Sequence, residues 1–177
     1  LQAGAALALV SDAGTPLVSD PGFKLVRAAA AAGVRVFPIP GPSAALAALV
    51  AAGLPTDRFL FAGFAPAKSG ARRTWLAGLA GVDATLVLYE TGPRLAASLA
   101  DMADVLGDRP AAVTRELTKL FEEVRRGGLA DLAAPYGAAG GPKGEIVVVV
   151  GAPQEQAAAP DLDGALRAAL DGHSVKD

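Results

Sequence analysis

Two rhythms of apolar and polar positions run along this 177-residue chain. Short apolar runs at residues 5–10, 34–39, 59–63, 84–89, 111–115 and 145–150 predict buried strands. Longer stretches predict helices. The one at 20–32 opens on Asp20 and Pro21, a side-chain acceptor followed by a residue with no N–H to satisfy, and Gly33 ends it. A second covers 44–52 after the tight turn 40–43, and Gly53 closes it. A third covers 74–79, reached through a flexible basic loop at 66–73. In a fourth, over 94–106, Leu95, Leu99, Met102 and Leu106 recur at helical spacing. A short fifth covers 129–136. A polar R-E-L-T-K bend separates strand 111–115 from a further strand at 122–126, and 137–144 reads as a glycine-rich turn.

The first elements form a β-α-β-α unit, whose crossover geometry predicts parallel strands. Their carboxyl ends, the 11–20 loop and the 40–43 turn, then face one crevice, where open α/β sheets bind ligands. Residues 54–58 read as a linker. After it, strands follow one another with less intervening helix, which predicts a mixed α+β sheet. The expected architecture is therefore α/β with two domains. Residues 1–55 are the C-terminal part of a first, parallel α/β domain, and 56–152 a second, mixed-sheet domain. Residues 153–177 are an acidic hinge and a cut helical segment. Both termini read as cut edges, because the chain opens directly on a strand that needs neighbours on both sides.

Composition narrows the chemistry. The chain is 52% hydrophobic and 19% charged, which excludes a disordered linker. The net charge of −2 excludes wholesale electrostatic capture of nucleic acid, so any RNA contact must use a local patch. No cysteine and one histidine, His173, exclude Cys/His zinc sites, iron–sulfur clusters and thiol nucleophiles, and no metal is expected. No apolar run is long enough to span a membrane, and the cytoplasm is the expected location.

Seven strings in order are more specific: S-D-A-G-T-P-L-V-S-D-P-G at 11–22, P-I-P-G-P-S-A at 38–44, G-L-P-T-D-R-F at 53–59, G-F-A-P-A-K at 63–68, Y-E-T-G-P-R-L at 89–95, V-T-R-E-L-T-K at 113–119 and K-G-E-I-V-V-V-V at 143–150. Over residues 5–150 the chain resembles the tetrapyrrole (corrin/porphyrin) methylase superfamily, in particular its branch acting on small-subunit ribosomal RNA. The resemblance implies two α/β domains with S-adenosyl-L-methionine in the cleft between them, and a homodimer. It also implies 2′-O-methylation of a cytidine ribose in the 16S rRNA of the small ribosomal subunit. Two rivals stand beside it: methylation of a small tetrapyrrole precursor on the same fold, and a non-catalytic interaction domain.

Each candidate residue has two readings. Asp12, Ala13, Gly14, Thr15 and Val18 form either a tight β-to-α turn or a loop that approaches the cofactor closely, as the resemblance implies. Ser43 is a helix N-cap, a cofactor contact with Ala44, or both. Glu90 is an edge residue, or, by resemblance, a cofactor contact in a cleft. Arg94 sits at a helix start, where the dipole disfavours a cation, which suggests a phosphate. The cluster around Glu116, Leu117 and Lys119 is either a salt-bridged hairpin or a site. In the second case Leu117 lies beside the cofactor, and Glu116 and Lys119 act as base or polarising cation on the ribose hydroxyl. Gly144 offers backbone to the adenine end of the pocket. Lys68, Arg72 and Arg73, extended by Arg125 and Arg126, are a solvated loop or a phosphate-binding patch.

Overall fold

The computed structural model describes residues 1–137 and 141–153. Its centre is a five-stranded sheet built from β1 (Phe59–Phe64), β2 (Thr85–Thr91), β3 (Pro110–Arg115), β4 (Glu123–Gly128) and β5 (Glu145–Val150). The strand order is β1-β2-β5-β3-β4. β1 and β2 are parallel, and the remaining neighbours are antiparallel, as a mixed sheet requires. β1, β2 and β3 thus run the same way, and the segments following them leave the sheet at one edge, where β5 also begins.

Strand alternation sends side chains to two faces. On one, Leu86 and Leu88 of β2 and Val148 and Val150 of β5 meet α3 (Ser69–Ala77), α4 (Gly92–Leu106) and α5 (Leu129–Ala133). Leu76, Leu95, Leu99, Met102 and Leu129 fill this layer and are fully buried. On the other face, Val87, Val147 and Val149 meet α2 (Ala44–Ala52) through Ala45, Ala48, Leu49 and Ala52. Ser43 caps α2 by accepting from the Leu46 amide at 3.5 Å, and Gly53, in the left-handed region at φ 73°, ends it. α1 (Phe23–Ala31) contributes no buried residue.

Two expectations are corrected. Residues 5–10 and 34–39 belong to no strand ladder, so the parallel pair expected between them is not formed among the described residues. A strand exists only through its lateral hydrogen bonds. Without a paired neighbour, Val10, Phe37 and Ile39 remain exposed despite their apolar character. α3 starts at Ser69, five residues earlier than expected, and absorbs much of the basic loop. Within the helix Arg72 turns inward onto a buried carboxylate of α4, a partner the string of basic residues does not reveal. The acidic segment from 154 onward, with His173, and residues 138–140 of the glycine-rich turn lie outside the described residues.

Candidate functional site

The 11–20 loop and the 40–43 turn meet. Thr15 Oγ1 donates to the Pro42 carbonyl at 3.0 Å, joining the two segments across the space ahead of α2. The loop is built from turns: Ser11 Oγ donates to the Ala13 carbonyl at 3.0 Å, and the Val18 amide donates to the Thr15 carbonyl. Gly14 adopts φ +70°, and Leu17 and Ser19 share this left-handed region at 73° and 57°. For a leucine and a serine that conformation is costly, and such strain persists only where the surroundings impose it. Sequence reading did not single out either residue. Asp12, Ala13, Gly14 and Val18 are exposed, and space is open where a side chain on Gly14 would stand. At its far end the loop reaches the sheet, with Ser19 Oγ beside Gly63 at the β1 irregularity.

The N-terminus of α2 opens beside Tyr89. The Ala45 amide faces the Tyr89 hydroxyl, while Phe61 and Phe64 pack edge-on against its ring at centroid distances of 4.9 and 5.4 Å. Ala44, Leu117, Phe61 and Tyr89 pack around the same small core. Burial pushes the Tyr89 phenol above its usual range, with the Glu145 carboxylate adding to the effect against the Ala45 amide. Ser43, Ala44 and Leu117 are thus brought together, with Thr15 one hydrogen bond away through Pro42.

Glu90 is not part of this group. It has the parity of Leu86 and Leu88 and points to the opposite face of the sheet, buried, where Oε1 accepts from Arg94 Nε at 2.8 Å and forms an ion pair with its Nη2 at 2.7 Å. Its neighbour Tyr89 faces the site instead. Period-two alternation from the buried Val87 was the signal that could have chosen between them.

Glu116 and Lys119 also change roles. Glu116, at φ 47°, turns its carboxylate back onto the Glu145 amide at 2.8 Å and Lys119 Nζ at 3.0 Å, and Lys119 reaches Glu145 Oε2 at 3.0 Å. The Glu145 amide, then Lys119, lowers the Glu116 pKa, and Glu116, then Glu145, raises that of Lys119. Both shifts oppose a general-base role: the lowered carboxylate takes up a proton less readily, and the raised amine holds the one it has. The pair is a clamp that fastens the β3–β4 bend to β5. Gly144 makes room for it, because a Cβ there would lie 2.5 Å from Glu116 Cγ.

The basic patch shrinks. Arg72 is only 3% exposed, bonds Asp101 Oδ2 through Nε at 2.7 Å and Nη2 at 2.6 Å, and is unavailable to an outside phosphate. Arg73 pairs with Asp101 and Asp104, and Arg94 with Glu90. Arg125 lies over the Tyr136 ring and pairs with Glu123, and Arg126 donates to the Ala51 and Ala52 carbonyls at the far end of α2. Lys68 is exposed, and its ammonium has no charged or hydrogen-bonding partner among the described residues.

The family described as "Tetrapyrrole (Corrin/Porphyrin) Methylases" matches residues 1–133. Among curated relatives, a protein of Mesorhizobium japonicum named "Ribosomal RNA small subunit methyltransferase I" is 59% identical over 165 residues, 92% of this chain and 56% of its own length. Proteins of the same name from Xylella fastidiosa (strain Temecula1) and Mycobacterium tuberculosis (strain H37Rv) are 53% and 57% identical. They match 93% and 83% of this chain, and 61% and 51% of their own lengths. The chain therefore spans about half the length of the curated relatives it matches. Among solved structures, the methyltransferase CobJ matches 78% of this chain and 62% of its own, with TM-score 0.58 and 22% identity. The cobalt precorrin-4 methyltransferase CbiF matches 78% and 61%, with TM-score 0.53 and 20% identity. These two show the same fold. With the matched family spanning the joined loops, α2 and the sheet up to α5, the chain belongs to the tetrapyrrole (corrin/porphyrin) methylases.

Proposed function

We propose that the protein is an S-adenosyl-L-methionine-dependent methyltransferase of ribosomal RNA. Its target is the 2′-hydroxyl of a cytidine in the 16S rRNA of the small subunit, and it works as a homodimer. The observation that carries the reading is the Thr15–Pro42 bond, which sets two backbone-rich segments against the start of α2, beside Tyr89 and Leu117. The names of the curated relatives supply the substrate class.

The donor set suits the cofactor. Left-handed Gly14 presents unobstructed backbone, Ser43 and Ala44 open a helix, the Tyr89 phenol supplies a polar tip, and Leu117 and Phe61 supply an apolar wall. Bound there, S-adenosyl-L-methionine supplies an electrophilic methyl on a sulfonium centre. Asp12, Ala13, Gly14, Thr15 and Val18 hold one side of the ligand, and Ser43, Ala44, Leu117 and the backbone at Gly144 the other. The Glu116–Lys119–Glu145 clamp fixes Leu117 in place. Lys68 contributes the phosphate contact. In domain terms, residues 1–55 complete the first α/β domain and 56–152 form the second.

The test is methyl transfer by the full chain from tritiated S-adenosyl-L-methionine to small subunits lacking the modification, followed by nuclease digestion and nucleoside analysis. Label in 2′-O-methylcytidine is expected. Label only in a supplied porphyrinoid, or no cofactor binding by calorimetry, overturns the reading.

A further inference from the structure

The segment leaving β1, residues 65–68, carries no secondary structure before α3 begins, yet three consecutive carbonyls in it are gripped by guanidinium groups. Arg94 Nη1 donates to the Ala65 carbonyl at 3.4 Å. Arg72 Nη1 donates to the Pro66 carbonyl at 3.3 Å and the Ala67 carbonyl at 3.1 Å. Each arginine is itself held by a buried carboxylate on the closed face of the sheet. Glu90 at the end of β2 holds Arg94. Asp101 in the middle of α4 holds Arg72 and also accepts from Ser69 Oγ at 2.9 Å. Asp101 thereby bonds the first turn of the helix that follows the segment. A solvated loop has no need of a buried ion pair and a second, half-buried one, each of which sacrifices hydration. The next residue is Lys68, exposed and unpaired among the described residues, at the sheet edge that also carries Tyr89 and the β3–β4 bend.

We propose that Asp101 and Glu90 are positioning residues which, through Arg72 and Arg94, make residues 65–67 a rigid platform presenting Lys68 to an RNA phosphate. This rests on the RNA-methylating reading above. A lysine on a free loop would spend conformational entropy on each contact, whereas one on a fixed backbone loses only its own side-chain freedom. The chemistry required of the partner is a phosphodiester backbone near the target ribose.

The test is a set of variants of the full chain assayed for methyl transfer to small subunits, with KM for subunits and for S-adenosyl-L-methionine measured separately. Lys68→Ala should raise the subunit KM about fivefold and lower the salt slope of subunit binding by about 1, leaving the cofactor KM unchanged. Asp101→Asn should raise the subunit KM about threefold, again without moving the cofactor KM. Ser69→Ala removes one donor to Asp101 and leaves the Arg72 pair intact, so it serves where Asp101→Asn folds poorly; about a twofold rise is expected. In a Lys68→Ala background neither second change should add anything, because its effect passes through the lysine. Additive losses, or a cofactor KM rising in step with the subunit KM, would show a merely structural role and overturn the proposal. A Lys68→Ala variant with unaltered subunit KM overturns it as well, while the wild-type transfer rate still reports on the proposed function. Absence of transfer by the wild type defeats both.

Discussion

The two faces of the sheet are made by the same strands and end up with opposite characters. One is sealed by α3, α4 and α5 over large, fully buried Leu and Met side chains. Among the described residues, the other carries only α2 as a helix, whose inner surface is mostly alanine, and its margin is partly open at Phe61, Tyr89 and Leu117. Adjacent residues fall to opposite sides. Glu90 is locked into an ion pair under α4, while Tyr89 meets the start of α2. Closed packing buries more apolar area and takes more of the stability; the incompletely covered face keeps a polar tip at Tyr89 at its margin, where the proposed site lies.

The comparison breaks most directly at a central leucine. Leu88→Ala on the sealed face should cost about 2–5 kcal/mol in chemical denaturation, with cofactor affinity of the folded fraction retained. A cost below 1 kcal/mol, or loss of cofactor binding at full folding, would show that the faces are not separable in this way. Gly144→Ala comes next. It places a Cβ against Glu116 at φ +105°, and should cost about 1–3 kcal/mol. Faster amide exchange in the 116–122 bend should accompany it; unchanged protection there would dissolve the clamp.

A paired substitution sharpens the contrast. Glu90→Gln should lower stability by about 1–3 kcal/mol through its weakened bonds to Arg94, with no change in cofactor Kd. Tyr89→Phe should do the reverse, weakening cofactor binding about fivefold with little change in Tm. Calorimetric titration of both variants decides, and equal effects on both readouts would remove the distinction.

The smallest effect expected is in acid. Burial pushes the Asp101 carboxyl up, but Ser69, Arg72 and Arg73 outweigh it and the net shift is downward. A carboxyl lowered in the folded state stabilises above its unfolded value, and that contribution is lost as pH falls through the folded value. Tm should therefore fall on acidification below the ordinary carboxylate range, more steeply in the wild type than in Asp101→Asn. Parallel acid limbs would mean that the buried network is not what titrates.

Most of the sheet and its helices were legible in the sequence, because buried strands and helices announce themselves locally. α2 was read at its full extent from the turn before it and Gly53 after it. The runs at 5–10 and 34–39 read as strands for the same reason, but pairing is not a local property, and no apolar pattern contains its lateral neighbour. Small residues and turn formers marked Gly14, Ser43 and Ala44 in two loops, and the structure joins those loops through Thr15 and Pro42. Charge was less legible. Lys68, Arg72 and Arg73 look alike in a string, yet Asp101, far along the chain, decides which of them faces water. Glu116 and Lys119 suggested proton transfer until Glu145 supplied the bond that fixes both.

The run of methyl-sized side chains beneath α2 has a consequence for how such a pocket can vary. Ala45, Ala48 and Ala52 set the standoff between helix and sheet, and each added carbon at Ala48 must lift the whole helix or bend it. Because Ser43 and Ala44 ride on its first turn, the approach of that turn to Tyr89 is gauged from underneath. If the proposed cofactor site lies there, its width is open to tuning by residues that never meet the ligand.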